Sequence, residues 1–241
     1  MKYSFLNNGD SAFTVQFENV IDEKVNGCVT RLADLIEHAG IKGIIETIPT
    51  FTSLTVLYDC TVISRKSAEK KIRKLISGIS AGESQISVVY NIPVCYDDEF
   101  ALDIENVCNH TGLSKEEIIS LHSGRNYLIY MLGFLPGFAY LGGMDERLFT
   151  PRLKTPREEI FEGAVGIGGE QTGIYPVASP GGWQLIGKTP VKVFDKSREN
   201  PILYKAGDYI KFYPVTLEEY REIENRINEG VFEPEKSEVS L

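Results

Sequence analysis

Two proline–arginine pairs, Pro151-Arg152 and Pro156-Arg157, lie five residues apart in a stretch rich in glycine and aromatic residues. Proline fixes its own φ, so each guanidinium is presented in a defined direction, and its planar fork of donors suits a carboxylate. A small acid is the ligand such a pair would take. Glu158, Glu159 and Glu162 close by offer the plainer alternative of exposed ion pairs. Gln171, Tyr175 and Ser179 have the groups to hydrogen-bond an amide substrate in an apolar recess, or equally to satisfy loop backbone. Phe134, Pro136, Phe138, Tyr140 and Trp183 are candidates for the wall of that recess or for a partner-facing surface, and the aromatics among them serve a barrel core just as well. Of the three histidines, His122 is the candidate catalytic base, because it ends a helix opening at Ser114 just before the aromatic segment. A protonated imidazole capping the helix, or simple packing, would place it there too.

Other chemistries are disfavoured. Gly182-Trp-Gln-Leu-Ile-Gly187-Lys-Thr189 matches the phosphate-binding loop pattern, but that loop needs a helix starting at the Lys-Thr pair. Here Pro190-Val-Lys-Val-Phe194 follows, a strand-like run, so no ATP site is expected in this chain. Gly166-Ile-Gly168 has Gln171 where a dinucleotide fingerprint wants its third glycine. There is no Gly-x-Ser-x-Gly elbow. Cys28, Cys60, Cys95 and Cys108 are too scattered for a zinc site or a disulfide framework, and no metal is expected. A net charge of −9 argues against nucleic acid. Neither a leader-like opening nor an 18-residue apolar run appears, so the expectation is a cytoplasmic protein without membrane contact.

The elements that must position these residues fall into two groups along 241 residues. Tyr3 to Leu6 and Ala12 to Phe17 flank Asn7-Asn-Gly-Asp10, a hairpin signal. Asp22 caps a helix with Val25, Val29, Leu32, Leu35 and Ile36 on one face, and Gly40 ends it. Strands at Gly43 to Ile48 and Ser53 to Tyr58 precede a second helix opened by Ser64. With Ile86 to Tyr90 as a last strand, the order ββαββαβ suits an α+β, ferredoxin-like sandwich, assigned to residues 1–84. Two short helices follow, the second behind the capping box Ser114-Lys-Glu-Glu117. From Tyr127 to Pro214 come short β-branched or aromatic runs, such as Tyr127 to Leu132, Val191 to Phe194 and Tyr209 to Tyr213, broken by glycine and proline. They predict a small closed or nearly closed β-barrel over residues 85–229, ending in a helix opened by Thr216-Leu-Glu-Glu219. Residues 230–241 read as a frayed polar tail.

Gly133-Phe-Leu-Pro-Gly-Phe-Ala-Tyr-Leu141, Pro151-Arg152, Pro156-Arg157, Gly173-Ile-Tyr-Pro176, Ser179-Pro-Gly-Gly-Trp183 and Ala206-Gly-Asp208 together resemble the KipI family, also called allophanate hydrolase subunit 1 or PxpB, the B component of bacterial 5-oxoprolinase. The resemblance implies a cyclophilin-like β-barrel behind a small α+β domain. It implies one member of an ATP-dependent complex that opens 5-oxo-L-proline to L-glutamate beside a KipA-like protein (PxpC) and a LamB-like protein (PxpA). ATP would be used by the complex, with no cofactor bound by this chain, and the isolated chain would be inactive. The family's alternative role is inhibition of a sporulation sensor histidine kinase. Lys188 stands where arginine is more usual, and the resemblance assigns no catalytic residue.

Overall fold

A computed structural model describes residues 2–79 and 86–240, and the chain forms two compact units, Met1–Gln85 and Ile86–Leu241. The boundary expected at residues 84/85 falls outside the described residues.

In the first unit, β1 (Ser4–Asn7) and β2 (Ala12–Gln16) form the expected hairpin, with Gly9 turning at φ 79°. Helix α1 (Glu23–Ala39) begins where Asp22 accepts from the backbone of Lys24 and Val25, and stops at Gly40 in left-handed geometry. Strands β3 (Ile44–Pro49) and β4 (Ser53–Tyr58) precede α2 (Arg65–Ser77), which Ser64 caps. The sheet order is β1-β2-β4-β3, antiparallel throughout. Alternation along β2 and β4 buries Phe13, Val15, Leu54 and Val56 against Val29, Leu32, Ile36, Ile72 and Ile76 of the helices. The edge beside β2 belongs to β1, not to a strand following α2.

The run Ile86 to Tyr90, expected to complete that sandwich, instead begins β5 (Ile86–Cys95) of the second unit. Then follow α3 (Ile104–Thr111), α4 (Lys115–Ser123), β6 (Asn126–Leu132), β7 (Ala139–Gly142), β8 (Arg157–Ile160), β9 (Ala164–Gly168), β10 (Gln171–Ile174), β11 (Ser179–Gly181), β12 (Gln184–Lys188), β13 (Tyr209–Val215), α5 (Leu217–Asn228) and β14 (Lys236–Ser240). The main sheet runs β10-β9-β12-β5-β13-β6-β7, with β14 also on β5. Its two ends, β10 and β7, come together, so the sheet is a nearly closed barrel. β5 pairs in parallel with β13 and antiparallel with β14, and meets β12 only at Cys95↔Lys188. β8 and β11 form a separate two-stranded sheet. Ile92, Val94, Ile129, Leu141, Ile167, Ile186, Ile210 and Phe212 fill the barrel.

Two further expectations are corrected. Val191 to Phe194, directly after Pro190, is irregular chain with an isolated bridge from Phe194 to Ile202. Residues 230–241 are not wholly frayed: β14 holds to β5 through backbone bonds, which need no apolar alternation in its own sequence.

A Cβ on Gly187 would stand 2.7 Å from the Cys95 carbonyl oxygen and 2.9 Å from Val94 Cγ1. Gly187→Ala should therefore push β12 from β5 and lower the free energy of unfolding by about 1–3 kcal/mol, read from the urea midpoint.

Candidate functional site

Trp183 organises the aromatic cluster. Its ring lies edge-on to Phe138 at 5.5 Å and to Tyr175 at 6.1 Å between centroids. Phe138 continues the set to Tyr140 at 5.3 Å and to Phe134 at 5.5 Å. The glycines of β9 and β10 explain how an indole fits here: a Cβ on Gly168 would lie 2.3 Å from Trp183 Nε1, and one on Gly173 3.2 Å from its ring. Phe138, Tyr175 and Trp183 are core, whereas Tyr140 is half-buried and Pro136 exposed. Phe134 is 65% exposed and, among the described residues, the one non-glycine with positive φ, at 68°. The Gly133 amide donating to Phe138 O, and the Phe138 amide to Leu135 O, hold that turn. A bulky side chain in this region signals a backbone held against its preference.

The two arginines have different surroundings. Arg152 is exposed, its guanidinium carbon 5.9 Å above the Trp183 ring, and no carboxylate partners it among the described residues. Arg157, on β8 opposite Gly181 of β11, donates from Nη2 to Asp103 Oδ1 at 2.7 Å. The anticipated pairing with Glu158, Glu159 or Glu162 is thus replaced by a carboxylate 54 residues away. Asp103, 4% exposed, stands at the N-cap position of α3 yet makes no cap bond with its side chain. Oδ2 accepts the Leu185 amide at 2.7 Å, while its own amide donates to Leu185 O at 2.9 Å. Asn106 Nδ2 bridges to Gln184 Oε1, and Gln184 Nε2 reaches Pro151 O beside Arg152. Sequence reading did not single out Asp103, Asn106 or Gln184; an acidic residue at a helix start carries no local sign of a distant partner.

Arg157 Nη1 and Ser179 Oγ are buried without a hydrogen-bond partner. The Tyr175 hydroxyl occupies the space beside Gly181, 2.5 Å from where a Cβ would be. Burial pushes the Tyr175 phenol above its ordinary pKa, against the opposing pull of a hydrogen bond with the Trp183 backbone and of Arg152 and Arg157. Gln171 lies at the β9–β10 turn opposite Gly168, half-buried.

His122 belongs elsewhere. It is fully buried on α4, stacked 4.6 Å from Phe212. Thr172 Oγ1 donates to Gly166 O, so it accepts from His122 Nε2–H at 2.7 Å, and Tyr96 Oη donates to Nδ1 at 2.7 Å. Both ring nitrogens are used by a neutral imidazole, and burial takes its pKa from 6.5 down to about 3. Neither a capping cation nor a solvent-facing base fits this placement. No group of side chains suited to a metal ion occurs among the described residues. The Trp183 cluster presents cations and hydrogen-bond donors and, among the described residues, no base beside a nucleophile.

Gly182–Thr189 contains β12, with no helix behind Lys188. Lys188 Nζ sits 5.2, 5.4 and 5.7 Å from the rings of Phe100, Phe161 and Tyr220 and borders a cavity of about 150 Å³. A larger cavity of about 550 Å³ is lined by Tyr90, Lys192, Arg198, Ile227, Phe232 and others. None of the candidate residues lines either one. No helix among the described residues is long and apolar enough to cross a membrane.

Residues 3–204 match the family described as carboxyltransferase domain, subdomain C and D. A Bacillus subtilis relative, named as the B component of 5-oxoprolinase, is 40% identical, covering 95% of this chain and 99% of its own length. A Haemophilus influenzae protein of the same name is 43% identical over 71% of this chain and 79% of its own. The solved structure of Kluyveromyces lactis urea carboxylase superposes with a TM-score of 0.79 at 22% identity, over 99% of this chain and 24% of that one, which bears on the fold.

Two outcomes follow from the geometry. Gly168→Ala should displace Trp183 and shift its fluorescence, with a loss of about 1–3 kcal/mol. The lowered His122 pKa favours the folded state while the imidazole is neutral, so this stability is present above pH 6.5 and drains away as pH falls towards 3. Between pH 7 and 4.5 the native protein should lose roughly 2–3 kcal/mol more than His122→Gln, measured by urea unfolding at both pH values.

Proposed function

Because this chain belongs to the family of carboxyltransferase subdomains C and D, we propose that it serves as the PxpB component of an ATP-dependent 5-oxoprolinase, which opens 5-oxo-L-proline to L-glutamate. The observation that carries this is the end-to-end match with a relative named as that component, 99% of whose length is covered. In this reading a KipA-like protein (PxpC) and a LamB-like protein (PxpA) complete a cytoplasmic complex, and ATP is bound by those companions. The strand at Gln184–Lys188, where a phosphate loop would turn, and the lack of a helix behind Lys188 support placing ATP elsewhere. The neutral, enclosed His122 likewise supports a chain that recognises ligand or partner while its companions supply reacting groups. The first unit is then a ferredoxin-like sandwich whose edge strand, β1, precedes the rest.

A second role, docking on a sensor histidine kinase, is favoured by the exposed Phe134 ring, held out on a backbone at φ 68°. Excess protein that leaves kinase autophosphorylation unchanged would remove it.

The purified chain should neither hydrolyse ATP nor open the lactam by itself, and 5-oxoproline-dependent ATP turnover should appear when PxpA and PxpC are added. Vigorous lactam opening by the isolated chain would overturn the assignment.

A further inference from the structure

Arg157 Nη1 and Ser179 Oγ, the two buried polar atoms without a partner near Trp183, belong to one two-stranded sheet, β8–β11. A buried donor normally finds an acceptor in the protein, in ordered water or in a bound molecule, so two such groups in one short sheet mark a place for a ligand's oxygens. Asp103 takes only the Nη2 side of the Arg157 guanidinium, at 2.7 Å, which leaves half of the fork unused. Arg152, held at the neighbouring Trp183 ring, adds a positive charge that no carboxylate among the described residues neutralises. Tyr175 completes the surroundings with an aromatic face, its hydroxyl filling the space that Gly181 leaves.

We propose that the β8–β11 sheet beside Trp183 is a binding subsite for a small carboxylate-bearing amide, with Arg157 Nη1 and Ser179 Oγ donating to its oxygens and Arg152 attracting its carboxylate. Both orphaned groups can donate and the free charge is positive, so the ligand must be rich in acceptors and anionic. A neutral lactam would satisfy the donors but leave Arg152 unused. The amide part of the ligand and the choice of 5-oxo-L-proline as probe rest on the 5-oxoprolinase reading; the anion-binding subsite itself rests on the residues.

The test uses the full chain, alone and with PxpA and PxpC, and measures the thermal shift produced by 5-oxo-L-proline and by 2-pyrrolidone, the same ring without the carboxylate. The acid should stabilise the chain in at least one of the two settings, and 2-pyrrolidone should need at least about tenfold higher concentration. Ser179→Ala removes a hydroxyl that bonds nothing in the fold, and Arg152→Gln alters an exposed side chain, so both variants should melt like the native chain without ligand. Each should weaken the acid about ten- to a hundredfold, as expected for a lost bond to a charged group. Arg157 is left intact, because its removal would strand the buried Asp103. The proposal is overturned if the acid stabilises the chain in neither setting, if both rings bind equally, or if both variants bind the acid normally. Acid binding that depends on Ser179 and Arg152, without ATP-dependent turnover of the acid by the complex, would keep the subsite and reject the 5-oxoprolinase reading. Turnover with an unchanged KM in both variants would do the reverse.

Discussion

One enclosed carboxylate, that of Asp103, joins parts of the second unit that lie far apart in sequence. Its residue exchanges hydrogen bonds with both backbone groups of Leu185, 82 residues away, and holds Arg157 of β8. A charge removed from water is tolerated only when its lone pairs are occupied, and here a backbone amide and a guanidinium occupy them. The start of α3, strand β12 and strand β8 are therefore tied to one point. Arg157 takes its direction from that tie, and through Gln184 and Pro151 the same network reaches the segment bearing Arg152.

Around this anchor the glycines and the aromatics are two sides of one arrangement. Gly168 and Gly173 leave the notch that the indole of Trp183 fills, and Gly181 leaves the one filled by the Tyr175 hydroxyl. Side chains in a close-packed interior need such complementary gaps, so substituting either member disturbs the other. His122 does similar structural work across the barrel, with Tyr96 and Thr172 on its two nitrogens and Phe212 against its face.

What could be read in the sequence was what local physics decides. The Asn7-Asn-Gly-Asp10 turn, the Asp22 cap with Gly40, and the capping boxes at Ser114 and Thr216 are all present, because each is settled within a few residues. The barrel was legible as a texture of short strands broken by glycine and proline, and the strand-like neighbours of Lys188 sufficed to discount a helix behind the phosphate-loop match. Properties decided by distant partners stayed hidden. Ile86 to Tyr90 reads as a strand in any context, and only β13 and β14 reveal its sheet. Lys236–Ser240 is polar enough to look unstructured. A histidine at a helix end gives no sign of whether that end meets solvent or core, and Asp103 is indistinguishable from an ordinary cap until Leu185 and Arg157 are in place.

The parallel pairing of β5 with β13 carries a kinetic implication. The partners of Val89 and Cys95 are Tyr209 and Val215, so the barrel's central ladder joins stretches separated by over a hundred positions. During synthesis β5 leaves the ribosome with both of its long backbone edges bare, and they remain so until β12, β13 and β14 have been made. The first unit has all its strand partners within Met1–Gln85 and can mature meanwhile. The nascent barrel, by contrast, passes through an interval of sticky, unpaired strand in which chaperone protection matters most.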